Sequence, residues 1–399
     1  MSGGFPILQF GTSRFLQAHV DLFVSEAQAW KGALGGITVV QTTANPASTE
    51  RVRAMARADG FDVLVRGLVD GRPVKTRTVC RSVGEALEAR TQWPLVRQRM
   101  REDVRVIVSN TGDSGWVSHQ GDHAGLLAPD AAAPQGFPAK LVVLLHDRWR
   151  HRPELPPSVL PCELVSANGT RLRDLVTGIA QAWCLDQGAA EETASAGPPS
   201  ERSSPAVRSR FADWLRTHVV WANSLVDRIV SEALVPVGAV AEPYALWAIE
   251  RQPGLVLPCQ HPAIVLTDDL ARFERLKLFL LNLGHTLLAD LWRNGGHPVD
   301  MTVLQAMQEP SMRDVLEAVW RDEVLPLLDA MGQGDEARTY LGTLRDRLLN
   351  PFLAHRLADI AQNHAQKLER RVAPLVALAH EQLPGLDQPR LRALLAAQA

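Results

Sequence analysis

The chain has 399 residues, 46% hydrophobic and 22% charged, with a formal net charge of −2. That balance excludes a disordered or fibrous chain, and it offers no basic face for nucleic acid or an anionic membrane. The expected partner is a small molecule, and a monomer or small homo-oligomer is the expected assembly. At roughly 100–200 residues per domain, the length calls for two domains. Cys80, Cys162, Cys184 and Cys259 form no CxxC pair, so reduced thiols are expected rather than a zinc knuckle or a disulfide framework. The opening MSGGFPILQFGTSRF lacks the basic start and apolar stretch of a signal peptide, and no run reaches the roughly 18 apolar residues that span a bilayer. A cytoplasmic protein is expected.

In chain order, PILQFGTSRFLQAHVDLFVSEAQAW begins with an apolar run, turns at Gly11, and continues with Leu16, Val20, Phe23, Val24 and Ala27 at helical spacing. ITVVQTT follows from Ile37, then ANPASTERVRAMARA, where Asn45 or Ser48 would cap a helix. The pattern predicts a βαβ unit. FDVLVRGLVDGRPVKTRTV reads as a hairpin, because Asp70-Gly71 supplies the positive φ angles of a tight turn. VRVIVSNTGDSGW from Val104 reads as a buried strand ending in small polar residues, Asn110 and Thr111 among them, where open parallel sheets place ligand contacts. Residues 186–206, DQGAAEETASAGPPSERSSPA, hold little apolar material and are expected to be a mobile surface insertion. From about Asp268 the pattern is helical, with long amphipathic segments through SMRDVLEAVWRDEVLPLLDAM and HRLADIAQNHAQKLERRVAPLVALA. The expected class is α/β: a Rossmann-like doubly wound sheet with an inserted hairpin over residues 1–266, then a mostly α-helical substrate and catalytic domain over 267–399.

A glycine between strand and helix lets a pyrophosphate approach free N–H groups at the helix N-terminus. Gly11 has that position, and Thr12, Ser13, Arg14 and Phe15 complete the candidate turn. The fingerprint GxGxxG is incomplete, since Ser13 and Leu16 stand where two glycines would; a plain strand-to-helix turn fits the residues equally well. After the second strand, Thr42 and Thr43 offer no acid to ribose hydroxyls, which leaves NAD and NADP both open, with NAD favoured.

KLFLLNLGH, residues 277 to 285, sets a lysine, an asparagine and a histidine into an apolar run. On an α-helix Lys277, His285 and Asn282 fall at roughly 0°, 80° and 140°, within one arc, opposite Leu276, Phe279, Leu280, Leu283 and Leu287. A lysine on an apolar helix has its pKa lowered if buried, which suits a general base. Asparagine can donate to an oxygen that gains negative charge, histidine can orient it, and Glu274 can relay protons. Together they suit oxidation of a secondary alcohol. Taken singly, each of these residue types is more often a solvated or satisfied helix residue.

At these residues the chain resembles the polyol-specific long-chain dehydrogenases, the mannitol dehydrogenase family, whose signature K-x4-N-x2-H is met by Lys277, Asn282 and His285. The resemblance implies that the lysine is the base, that the asparagine polarises the reacting oxygen, and that no metal takes part. LQFGTSRFLQAHVD, VIVSNTGDSGW, FPAKL, LPCELVSANG, NSLVDRIV and NPFLAHRL look most like the tagaturonate reductase (altronate oxidoreductase) branch. By that resemblance Asn168 would join Asn282 near the substrate, Asp227 would border the site, and His355 and Lys367 would contact sugar hydroxyls or a carboxylate. Leu164, rather than asparagine, follows Glu163, as in the uronate branch. The family usually has glycine at the position of Ser13 and asparagine at that of Arg14, so cofactor binding is where this chain departs. Two readings result: an NAD(P)-dependent oxidoreductase of polyols or aldonates, and a sugar-acid binding or regulatory protein of the same architecture that has lost dinucleotide binding.

Overall fold

The protein is described here from a computed structural model covering residues 4–43, 46–194 and 205–396, with backbone only at 46–48, 113–114, 184–194 and 205–210. In chain order the strands are β1 (Ile7–Phe10), β2 (Ile37–Gln41), β3 (Phe61–Val69), β4 (Arg72–Cys80), β5 (Val83–Glu88), β6 (Val106–Ser109) and β7 (Ser158–Pro161). They continue with β8 (Val220–Trp221), β9 (Ser224–Asp227), β10 (Val230–Ala233), β11 (Ala239–Ala241), β12 (Leu246–Glu250) and β13 (Ile264–Thr267).

Six strands form one sheet in the order β5-β2-β1-β6-β7-β8, with every pairing parallel. A parallel sheet needs apolar cover on both faces, and the short runs supply it by alternation. Leu8, Phe10, Val40, Ile107 and Val159 enter one core, whereas Ile7, Val39, Val106, Val108 and Leu160 enter the other. The chain runs outward from β1 to β2 and β5 and then returns to β6 beside β1. The carboxyl ends of β1 and β6 therefore flank the switch point where such sheets open a crevice. The expected Rossmann-like sheet is present, followed by helices from Leu270 onward.

The hairpin is present too, β3 pairing with β4 from Phe61↔Cys80 to Val69↔Arg72, with φ of 50° at Asp70 and 70° at Gly71. It is part of a larger unit than the sequence suggests: β11 and β10 join it in a four-stranded sheet, β10-β11-β3-β4. A third sheet, β13-β12-β9, lies between the Rossmann strands and the helices in sequence. At the hairpin tip the Gly71 N–H donates to both carboxylate oxygens of Asp346, on the helix Gly334–Leu348.

Three expected helices are interrupted, each for a local reason. The helix after Gly11 splits into Arg14–Gln17 and Val20–Gln28 at His19, whose ψ is −93°. The segment through SMRDVLEAVWRDEVLPLLDAM widens into a π-helical turn at Trp320–Val324, directly before Pro326, which has no N–H to continue an i→i−4 ladder. The last long segment breaks at Asn363, with φ of 54°, and again before Pro374. Of the expected mobile insertion, the helix Asn168–Ala194 enters it and another begins at Pro205; residues 195–204, like Asn45, lie outside the described residues, and so does the Ser48 side chain. Cys80, Cys162 and Cys259 are buried free thiols.

The helical core packs closely around Trp320. A Cβ at Gly284 would stand 3.0 Å from the Trp320 ring, so the glycine of KLFLLNLGH is what admits the indole, whose N–H donates to the Leu280 carbonyl at 3.3 Å. Gly284→Val should therefore cost about 1–3 kcal/mol through overpacking, read as a lower urea midpoint at unchanged m-value. A midpoint equal to that of the parent would contradict this packing.

Candidate active site

The stretch Leu270–Leu276 is an α-helix capped by the Asp269 carboxylate, which accepts from the Arg272 N–H. From Lys277 to Asn282 the helix widens into a π turn before resuming as α over Leu283–Asn294. That change alters the geometry read from the sequence. An i→i+5 repeat sets residue i+5 about one turn above residue i, so Lys277 and Asn282, five apart, come onto one face instead of being splayed by roughly 140°. Phe279, Leu280 and Leu281 remain buried on the other side.

Lys277 and Asn282 both line a cavity of about 340 Å³, together with Glu163, Ser224, Glu274 and Arg371. The Lys277 ammonium donates to the Val226 carbonyl at 2.9 Å. Burial pushes its pKa down, while the neighbouring Asp227 carboxylate works in the opposite direction. Among the described residues the Asn282 side-chain amide has no hydrogen-bond partner, and its main-chain carbonyl accepts from Thr286 and Arg371. Glu274, one turn before Lys277 and half-buried, is pushed up by burial.

Asp227 is held by a buried ion network. Arg347 donates to it through both terminal nitrogens at 2.8 and 2.9 Å, and to Glu242 through Nε and Nη2 at 2.9 and 2.8 Å. The Tyr340 hydroxyl adds a bond to Asp227 at 3.2 Å, and the guanidinium lies 4.2 Å from the Tyr244 ring centroid. Burial works to raise the Asp227 carboxyl, but the charge and hydrogen bonds of Arg347 outweigh it and hold the group low. Glu242 is raised, by burial first.

The other candidate residues divide. The Asn168 amide shares its two hydrogens among the carbonyls of Pro161, Glu163 and Ser224 at 2.9–3.1 Å, and its oxygen accepts from the Gly169 and Ser224 N–H groups. It is 1% exposed and clamps two residues of the cavity wall from behind. It does not join Asn282 at the cavity surface as expected, because its bonding capacity is taken up by backbone. His285 is buried and edge-on to His355, ring centroids 5.0 Å apart. Burial, with nearby cations, pushes His285 well below the ordinary histidine range, which favours the neutral ring. Lys367 donates to the Ile360 carbonyl at 2.6 Å.

At the switch point, Gly11 has φ of 113°, and a Cβ there would meet the Asn110 carbonyl at 2.6 Å. Only glycine fits this turn. Ser13 caps the following helical turn through the Leu16 N–H and donates to the Asn110 side chain at 3.1 Å. Arg14 is exposed, and Phe15 stacks on His19 at 4.7 Å. Arg51, which the sequence reading passed over, donates to Thr12 and places a cation beside the turn. A second cavity of about 460 Å³, lined by Thr42, Arg90, Thr111 and Lys140 among others, opens at the ends of β2, β5 and β6. Glycine turn, flanking cations and adjoining cavity fit a dinucleotide. The two cavities share a wall: Thr111, lining the second, donates through its N–H and hydroxyl to Glu163, lining the first, at 2.9 and 3.1 Å.

Comparison with known proteins agrees with this layout. The family model described as the mannitol dehydrogenase Rossmann domain matches residues 6–256, and that of the mannitol dehydrogenase C-terminal domain matches residues 269–399. The chain belongs to the mannitol dehydrogenase family. It is accordingly a dehydrogenase. It is 28% identical to altronate oxidoreductase of Klebsiella pneumoniae (strain 342) over 415 aligned positions, covering 98% of this chain and 78% of that one. Its fold is shared with D-sorbitol dehydrogenase in substrate-free form (TM-score 0.71, 18% identity, 95% of this chain and 76% of that one). It is shared equally with Pseudomonas fluorescens mannitol 2-dehydrogenase, solved as a ternary complex with NAD and D-mannitol (TM-score 0.68, 18% identity, 99% and 84%). No described helix is long and apolar enough to cross a membrane.

Arg347 and Arg371 escaped the sequence reading, since an arginine on an amphipathic helix looks like a solvated one until its partners are known. Removing one member of a buried ion cluster leaves the others uncompensated. Arg347→Met should therefore lower stability by about 3–5 kcal/mol, measured by urea unfolding. A change below about 1 kcal/mol, the range of exposed pairs, would contradict this assignment.

Proposed function

We propose that the chain interconverts a secondary alcohol of an open-chain polyol or aldonate with the corresponding ketose or ketouronate, using NAD or NADP, with Lys277 as general base. The observation that carries the reading is that Lys277 and Asn282 face one cavity, which meets the switch-point crevice across the Thr111–Glu163 hydrogen bonds. Gly11, Thr12, Ser13 and Arg51 would hold the pyrophosphate, and Thr42, Asn110 and Thr111 would border the rest of the dinucleotide. Hydride acceptance is the chemistry that a bound nicotinamide supplies.

The protein residues handle the proton and the oxygen. A neutral Lys277 amine spends one N–H on the Val226 carbonyl, which leaves two tetrahedral positions for its lone pair and second N–H. That lone pair takes the hydroxyl proton as the C–H bond breaks. The uncommitted Asn282 amide donates to the oxygen while it carries alkoxide character, and when the ketone is reduced the Lys277 ammonium gives the proton to that oxygen. Asp227 sets how readily the amine gives up its proton, and Asn168 keeps Glu163 and Ser224 in position behind the cavity wall. Glu274 would pass the proton outward. Neutral His285, His355 and Lys367 would contact substrate hydroxyls or a carboxylate. The sugar-acid reading draws on the 28% identity to altronate oxidoreductase.

Two outcomes test the base. Lys277→Ala should lower kcat for alcohol oxidation by roughly 100- to 10,000-fold while dinucleotide affinity, followed by NADH and NADPH fluorescence, stays near that of the parent; turnover at the parent rate would reject the assignment. The pH profile is a separate measurement. Because burial lowers the Lys277 pKa, kcat/KM for oxidation should rise with pH through an ionisation below the free-lysine value of about 10.4, and ketone reduction should fall through the same ionisation. Asp227 favours the ammonium form, so Asp227→Asn should move that ionisation lower still; a shift upward would contradict the electrostatics.

A further inference from the structure

Arg371 is a cation without an anion. It lies on the helix His364–Arg371, one turn after Lys367, and lines the cavity with Lys277 and Asn282. Its hydrogen bonds, to the Asn282 carbonyl at 3.4 Å and the Thr286 hydroxyl at 3.1 Å, both use Nη1. Among the described residues, neither Nε nor Nη2 makes a hydrogen bond, and no carboxylate pairs with the group. The buried guanidiniums elsewhere differ: Arg347 has Asp227 and Glu242, Arg97 has Asp147, and Arg148 and Arg228, which have no carboxylate, spend Nε and both terminal nitrogens on backbone carbonyls.

Lys367 repeats the pattern. Its ammonium meets the Ile360 carbonyl and no acid, and burial lowers both cations, with Arg371 lowering Lys367 further. Like charges at i and i+4 on a helix oppose its folding, and among the described residues no ion pair offsets that cost for either cation. The acids lining the cavity, Glu163 and Glu274, are both raised by burial, which weakens their claim on these cations. The free edge of a guanidinium matches the two oxygens of a carboxylate.

We propose that Arg371, supported by Lys367, binds the terminal carboxylate of the substrate and makes this site select aldonates over neutral polyols of the same chain length. This rests on the dehydrogenase reading above and narrows its substrate class. The carboxylate lies against the Nε–Nη2 edge of Arg371, at the Asn282 end of the π turn, with the reacting hydroxyl toward Lys277. Lys367 adds charge to the same end.

The test compares matched pairs that differ only at C1: D-mannonate with D-mannitol, D-gluconate with D-glucitol, and D-altronate with D-altritol. Binding is measured by calorimetry with NADH or NADPH present, with which none of these alcohols can react, and turnover with the oxidised cofactor is followed in parallel. The parent protein should bind at least one hexonate more tightly than its hexitol, and Arg371→Met should reduce that ratio roughly 10- to 100-fold, with Arg371→Lys falling between. Equal affinity for acid and polyol in the parent, absence of hexonate binding, or an unchanged ratio in Arg371→Met would each overturn the proposal. Hexonate selectivity that depends on Arg371 without turnover would instead sink the dehydrogenase assignment and leave this site standing, whereas turnover without selectivity would do the reverse.

Discussion

One buried guanidinium joins the parts of the molecule that make the site. Arg347, on a C-terminal helix, satisfies Asp227 at the end of β9 and Glu242 just after β11, and so fixes the helical region against two of the three sheets. Neither acid is stable unpaired in that interior, and the arginine is no more stable without them. The consequence reaches one residue further. Asp227 follows Val226, whose carbonyl holds the Lys277 ammonium, so the cluster that fastens the helices also sets the charge beside the amine.

A widened helix turn does the rest. In an α-helix the spacing K-x4-N would point its two polar residues apart; the π turn at Lys277–Asn282 turns them toward one space. Trp320 braces that turn by donating to the Leu280 carbonyl, which also accepts from the Leu283 N–H, and is admitted by the missing side chain of Gly284. An amine among apolar neighbours loses proton affinity, and the Asp227 carboxylate, with a smaller effect from Glu242, returns some of it. The two effects oppose each other at the amine that we propose as the base.

The sequence disclosed what is local. Short, nearly continuous apolar runs in ILQF and VIVS mark strands buried on both faces, Asp70-Gly71 marks the hairpin turn, and Gly11 marks the crevice. Long-range pairings left no local trace. The strands β8 to β13 are two to five residues long and gain their place by joining distant partners, as β11 does beside β3. The site divided the same way. Lys277 and Asn282 stood out as polar residues in an apolar run, although the π turn that aligns them did not. Asn168 stood out by resemblance, yet the structure uses its amide to pin backbone, and Arg371 is visible only once its lack of a counter-ion is known.

The proposed reaction depends on the proton affinity of one amine. Incorporation of ¹⁵N-labelled lysine, with the Lys277 resonance assigned by its loss in Lys277→Arg, would follow that amine directly as pH is raised. The amine should lose its proton below the free-lysine value of about 10.4, and at lower pH still when Asp227 is replaced by asparagine. Titration at or above the free value would show an amine open to water and would contradict the account.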